Sequence, residues 1–173
     1  MPGKAIGISM LNGYPGSFAR NADCIIRNRP VLSTDTDSIA FGDPVILNSG
    51  GTYSKFGATG TLAAFAGVAV REVQQATSYT SQSAGAYAPG SPCDVLSRGS
   101  VSVVCNVGTP VDGGAVYARV TANSGIAGAV VGGFEYRADD DSAKCILLTN
   151  CKWASGKDAN NVAELALLTR NNP

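Results

Sequence analysis

Between positions 101 and 107 the chain alternates with a period of two. Val101, Val103, Cys105 and Val107 fall on one side of an extended backbone, and Ser102, Val104 and Asn106 on the other. This pattern specifies a β-strand with one buried face. A second apolar run, Phe65 to Val73, precedes it. Its Leu62, Phe65, Ala66, Ala69 and Val73 would also line one side of a helix capped by Thr61. Against the helix, Gly67 in the interior costs about 1 kcal/mol relative to alanine, and Val68, Val70 and Val73 suit a pleated surface; strand is the preferred reading. Ser97-Arg98-Gly99 reads as a turn leading into the 101–107 strand, because glycine accepts the positive φ of a tight bend.

The remaining apolar runs are short and separated by many of the 21 glycines and 8 prolines, the punctuation of an all-β domain with frequent turns. Ile39-Ala40-Phe41 leads through Gly42-Asp43-Pro44 into Val45-Ile46-Leu47. Ala115 to Val120 reads as a strand with Val116, Ala118 and Val120 inward. Phe134, Tyr136 and Ala138 alternate with Glu135, Arg137 and Asp139, a one-sided strand. Lys144 to Trp153 is apolar on both sides, which suits a central strand or a subunit contact. Val162 to Thr169 fits a strand or a short helix, with the strand preferred. Together these give about eight to ten short strands in one β-barrel or β-sandwich-like domain.

Residues 1–30 differ from this pattern. They hold too many glycines and prolines for a compact hairpin, and they read as an extended arm, ahead of a β-rich body over 31–173, that becomes ordered against a partner. Tyr14, Phe18, Ile25 and Ile26 are the apolar anchors available to such an arm, and Arg20, Arg27 and Arg29 its cations. Lys4 and these three arginines face Asp23 alone in the first 29 residues, although the whole chain carries 13 cations, 13 carboxylates and no net charge. A basic arm of this kind favours an acidic protein surface. The zero net charge and the scarcity of stacking aromatics beside the arginines argue against nucleic acid.

Catalysis is not expected. The chain has no histidine, which removes the commonest general base and metal ligand. Asp139-Asp140-Asp141 reads as a solvated hairpin tip, since neighbouring residues on extended backbone point to alternating sides. Asp35-Thr36-Asp37-Ser38 lacks the glycine and closing glutamate of a calcium loop, and Gly57-Ala58-Thr59-Gly60-Thr61 lacks the lysine of a phosphate loop. No metal or cofactor is therefore expected. The five cysteines include no C-x-x-C pair and are expected to be free thiols of a reducing compartment. No secretory signature is seen and no apolar run is long enough to span a bilayer, so synthesis in a cytoplasm and no membrane association are expected. Charged residues make up only 15% of the chain, against a usual share of about 25%, which suggests that part of the surface is covered by other protein.

Three segments in order carry a family likeness: Phe65-Ala66-Gly67-Val68-Ala69-Val70-Arg71-Glu72-Val73, then Tyr87-Ala88-Pro89-Gly90, then Val95-Leu96-Ser97-Arg98-Gly99-Ser100-Val101. With Gly13 to Pro30, Ile39-Ala40-Phe41-Gly42 and Gly114-Ala115-Val116-Tyr117, the succession resembles the structural cement proteins of tailed bacteriophages, which decorate capsids. The resemblance spans about the first two thirds of the chain. It implies a virion protein that binds the outside of the shell formed by the major capsid protein, as a homotrimer over a junction between its subunits, and braces the shell against internal pressure. A different class of function is a receptor-binding or adhesion module on the virion surface, using the Gly-rich loops Ser81–Pro92 or Ala122–Gly133.

Overall fold

The computed structural model describes residues 11–71 and 85–168, and among them the chain is all β with no helix. The first ten residues of the expected arm, Val73 and the start of the Ser81–Pro92 loop lie outside the described residues. Twelve strands follow in order: β1 (Phe18–Pro30), β2 (Ile39–Ala40), β3 (Pro44–Leu47), β4 (Tyr53–Lys55), β5 (Phe65–Ala69), β6 (Ala86–Tyr87), β7 (Pro92–Val107), β8 (Tyr117–Arg119), β9 (Phe134–Glu135), β10 (Cys145–Leu147), β11 (Cys151–Trp153) and β12 (Val162–Leu167).

β7 organises them. The main sheet runs β10-β8-β9-β7-β5-β3-β4, with β1 and β12 also paired to β7 and β11 paired to β12, while β2 and β6 form a separate two-stranded sheet. β7 is 16 residues long and passes without a break through Ser97-Arg98-Gly99, so the turn expected there is absent. Gly99 does have a positive φ, +125°, but it serves the neighbouring strand: a Cβ at this position would lie 3.0 Å from the Asp23 carbonyl oxygen and 3.0 Å from the Cys24 sulfur. β1 bulges at that point, where Arg20 opposes Ser100 and Ile25 opposes Arg98. The glycine therefore marks a close backbone approach rather than a bend.

The apolar run 65–70 lacks a clean period because both of its faces are buried. Val68 and Val70 enter a large cluster that includes Leu96, Val101, Val103, Phe134, Trp153 and Leu165. Ala69 faces a smaller one with Val31, Ile39, Tyr53, Tyr87, Cys93 and Val95. Across β7, Leu96 joins the first cluster and Val95 the second. The sheet does not close into a barrel. β4 meets the end of β1 without a ladder, through an isolated parallel bridge between Val31 and Tyr53 and the Leu32 N–H donating to the Tyr53 carbonyl at 2.8 Å.

Two expectations about the C-terminal third are corrected. Lys144 to Trp153 is not one strand: it splits into β10, paired with β8, and β11, paired with β12, with a turn between them in which the Cys151 N–H donates to the Leu148 carbonyl at 3.1 Å. Leu148 is buried whereas Leu147 is 43% exposed. Glu135 and Asp139, expected to face solvent, are buried instead. The reason is Arg119 of β8, itself fully buried. Its Nε lies 2.5 Å from Glu135 Oε1 and its Nη2 donates to Oε2 at 2.8 Å. Nη1 reaches Asp139 Oδ2 at 2.7 Å and the Thr121 carbonyl at 3.2 Å. Asn123 Nδ2 donates to both Asp139 oxygens, at 3.1 and 3.0 Å, and the Asp141 N–H donates to Oδ1 at 3.0 Å. Each buried charge thus has charged and neutral partners, the condition under which burial of ions is tolerated.

Candidate interaction surface

The described part of the expected arm is fastened to the body in two ways. In residues 11–17, the Asn12 N–H donates to Asp158 Oδ2 at 2.8 Å, and Asn12 Nδ2 to the Gly156 and Val162 carbonyls at 2.9 and 2.7 Å. Ser102 Oγ donates to the Asn12 carbonyl at 2.6 Å, and the Gly16 N–H to the Ser102 carbonyl at 2.8 Å. Burial pushes the Asp158 carboxyl up, but the N–H groups of Asn12, Val162 and Asn160 outweigh it and hold the group below its ordinary value. From Phe18 onward the chain is β1, antiparallel to β7.

This placement divides the seven candidate residues. Phe18 and Ile26 are partly buried against the large core cluster. Tyr14, 48% exposed, lies under the Arg71 guanidinium, which is 5.6 Å from its ring centroid and donates from Nε to the Pro15 carbonyl at 2.9 Å. Arg20 pairs with Glu164 at 2.9 Å. Beyond the bulge sit Ile25, Arg27 and Arg29. Arg29 Nη1 donates to the Gly51 carbonyl at 3.0 Å. Arg98 on the adjoining β7 pairs with Asp23 at 2.7 Å. The edge of the sheet formed by β1 is therefore cationic, and Phe18 and Ile26 serve the fold first.

A second open surface was not singled out in the sequence. Gly108, Thr109, Ala115, Tyr117, Tyr136 and Ala138 line an apolar groove of about 520 Å³ with Arg137 at its rim. Leu147, opposite Tyr117 in the β8–β10 register, continues the apolar area outward. The signal available was the period of two: Ala115 and Tyr117 lie on the side of their strand opposite the inward Val116 and Ala118. In the Gly-rich stretch, Val130 and Val131 are 50% and 36% exposed. Among the described residues no group of three or more Cys, Asp or Glu side chains could hold a metal ion.

The model of one protein family, described as XM1 gp53 minor capsid protein, matches residues 3–167. The chain belongs to that family. Its members are phage capsid-associated structural proteins, in agreement with the resemblance drawn from the sequence. Among solved structures, a chain in the capsid of Myoviridae phage XM1 superposes with a TM-score of 0.68 at 16% identity, covering 94% of each chain; at that identity the likeness is one of fold. No curated protein matches the sequence.

This capsid protein keeps four of its five thiols out of reach. All five cysteines are free; Cys93, Cys105, Cys145 and Cys151 are buried and Cys24 is half-buried. Burial is the main cause that pushes the thiol of Cys93 up to about 12 and that of Cys145 up to about 11, and it raises Cys105 and Cys151 as well. Ellman's reagent at pH 8 is accordingly expected to titrate no more than one thiol, Cys24, in the folded protein and all five in guanidinium chloride. Rapid reaction of two or more native thiols would contradict the burial of these side chains.

Proposed function

We propose that the protein is a decoration, or cement, protein: it attaches to the outer surface of the major capsid shell as a homotrimer and braces that shell against the pressure of the packaged genome. The observation that carries this reading is membership of the minor capsid protein family over residues 3–167. The chemistry of the chain supports it. The surface offers a cationic strand edge at β1 and exposed apolar side chains at Leu11, Tyr14, Val111, Val130 and Leu147, and the chain has no histidine. Tyr14, Ile25 and the arginines of residues 14–29 contact the shell, and one such contact is modest at about 25 cal/mol per Å² of apolar area. Three copies per trimer, repeated over a lattice, convert modest contacts into firm attachment.

The test is co-sedimentation of the purified protein with heads that lack it, together with its mass in solution by equilibrium sedimentation. A trimer that saturates the heads and raises their rupture temperature is expected. A monomer that stays in the supernatant, or a protein that binds host cells and ignores heads, would overturn the reading.

A further inference from the structure

Among the described residues β1 pairs with one neighbouring strand, β7. Which of its backbone groups face outward follows from the alternation of an antiparallel ladder. The Val31 N–H donates to the Ser91 carbonyl at 2.9 Å and the Gly90 N–H to the Val31 carbonyl at 3.0 Å, so Val31 faces the β7 side, and steps of two carry the same orientation to Arg29 and Arg27. From the other side, the Val70 N–H donates to the Asp94 carbonyl at 2.9 Å, which turns Asp94 toward β5 and Val95, the partner of Arg27, toward β1. Ile26 and Asn28 therefore direct their N–H and C=O groups away from the sheet, and among the described residues no backbone group receives them.

The charge on this edge is compensated only in part. Of the four arginines there, Arg20 and Arg98 have carboxylate partners, Glu164 and Asp23. Arg29 bonds the Gly51 carbonyl and the Tyr53 hydroxyl, and neither it nor the exposed Arg27 has a carboxylate in salt-bridge reach among the described residues. The chain as a whole has no net charge, so these two cations are a local excess. Cations and a bulge on an edge strand discourage pairing with an uncharged or basic strand; the same 13-residue strand carries arginines fit for bidentate pairing with carboxylates, so the partner it admits is an acidic one.

We propose that the outer edge of β1 receives an extended, acidic segment of a neighbouring capsid subunit as an added strand, hydrogen-bonded to Ile26 and Asn28 and paired through its carboxylates with Arg27 and Arg29. This rests on the capsid-decoration reading and names the contact that performs it. β1 is already laddered to β7 before the strand arrives, so binding orders the partner's segment rather than β1.

The test uses the full chain and heads lacking it. Amide exchange is read residue by residue with electron-transfer fragmentation, free and head-bound. In the free protein Ile26 and Asn28 are expected to exchange at least tenfold faster than Arg27 and Arg29, and on heads to slow by at least tenfold while the other two change little. Arg27→Glu is expected to weaken head binding tenfold or more at low salt with an unchanged thermal melt, and added sodium chloride to weaken the wild type. Unchanged exchange at Ile26 and Asn28 on binding, or wild-type occupancy by Arg27→Glu, overturns the added strand and leaves attachment to heads standing. Failure of the wild-type protein to bind heads removes the decoration reading itself. If Arg27→Glu does not fold, the exchange pattern decides.

Discussion

Replacing Arg119 with methionine is expected to lower the unfolding free energy by about 3–5 kcal/mol, the range for removing one partner of a buried ion pair. The substitution leaves the apolar stem in place and takes away the guanidinium, so Glu135, buried without exposure, keeps its charge and loses both of its short bonds. The loss comes from the stranded carboxylate rather than from the strength of the pair. A triple variant, Arg119→Met with Glu135→Leu and Asp139→Asn, is therefore expected to regain much of the stability, because no buried charge remains. Urea unfolding of the three proteins separates the possibilities. Equal destabilisation in the single and triple variants would mean that shape, and not charge, is what Arg119 supplies.

The same network has a pH signature. The amide of Asn123 first, then the Asp141 N–H and Arg119, hold the Asp139 carboxyl well below the usual carboxylate range. A group with a depressed folded pKa stabilises the fold above its unfolded value, 3.8, and that contribution fades as pH falls toward the folded value. The stability gap between wild type and Asp139→Asn should thus be constant near neutrality and shrink below about pH 4. A gap that shrank between pH 8 and pH 5 would contradict the assignment.

This network also shows where the sequence was silent. A period of two read the inward set Val116, Ala118 and Val120 correctly, because one face of β8 packs on the large apolar cluster. The same rule placed Glu135 and Asp139 in solvent, since it assigns polar residues outward and cannot register that an arginine sixteen residues earlier in the chain lies beside them. Arg119 itself gave no warning, being one cation in an otherwise apolar strand. The strand at 65–69 was legible only as a preference, because burial on both faces erases periodicity. Its neighbour β7 was legible in its second half, where one face meets the core and the alternation is clean.

The arm illustrates a different limit. Gly13, Pro15 and Gly16 break the pattern in residues 11–17, and these residues do lack a strand; they hold to the body through Asn12, Ser102 and Asp158, contacts between positions about 90 to 150 residues apart that no local rule detects. From Phe18 the chain is a sheet strand despite its weak alternation, because three residues are taken up in the bulge opposite Gly99. A bulge shifts the phase, so Ile25 and Ile26 could not be assigned to faces from the sequence.

Gly67→Val is expected to be the most damaging single change in the described residues that leaves charge untouched. The position has φ of +146°, which side chains other than glycine rarely adopt, and a Cβ would stand 2.0 Å from the Leu96 carbonyl oxygen. Backbone strain alone costs about 1–3 kcal/mol. The overlap adds to it, because the oxygen belongs to backbone and cannot rotate away; β5 must move off β7 for the side chain to fit. That pairing joins Val68 to Leu96 and Ala69 to Val95, one contact in each of the two apolar clusters, so separating the strands opens both cores together. A loss above about 3 kcal/mol, or insoluble expression, is the expected result. Gly50→Ala is the control: it is exposed, its Cβ would meet nothing within 4 Å, and its effect should stay within about 0.5 kcal/mol. A wild-type urea midpoint for Gly67→Val would show that β5 and β7 are not held at the separation described, and the division of the interior between the two clusters would have to be redrawn.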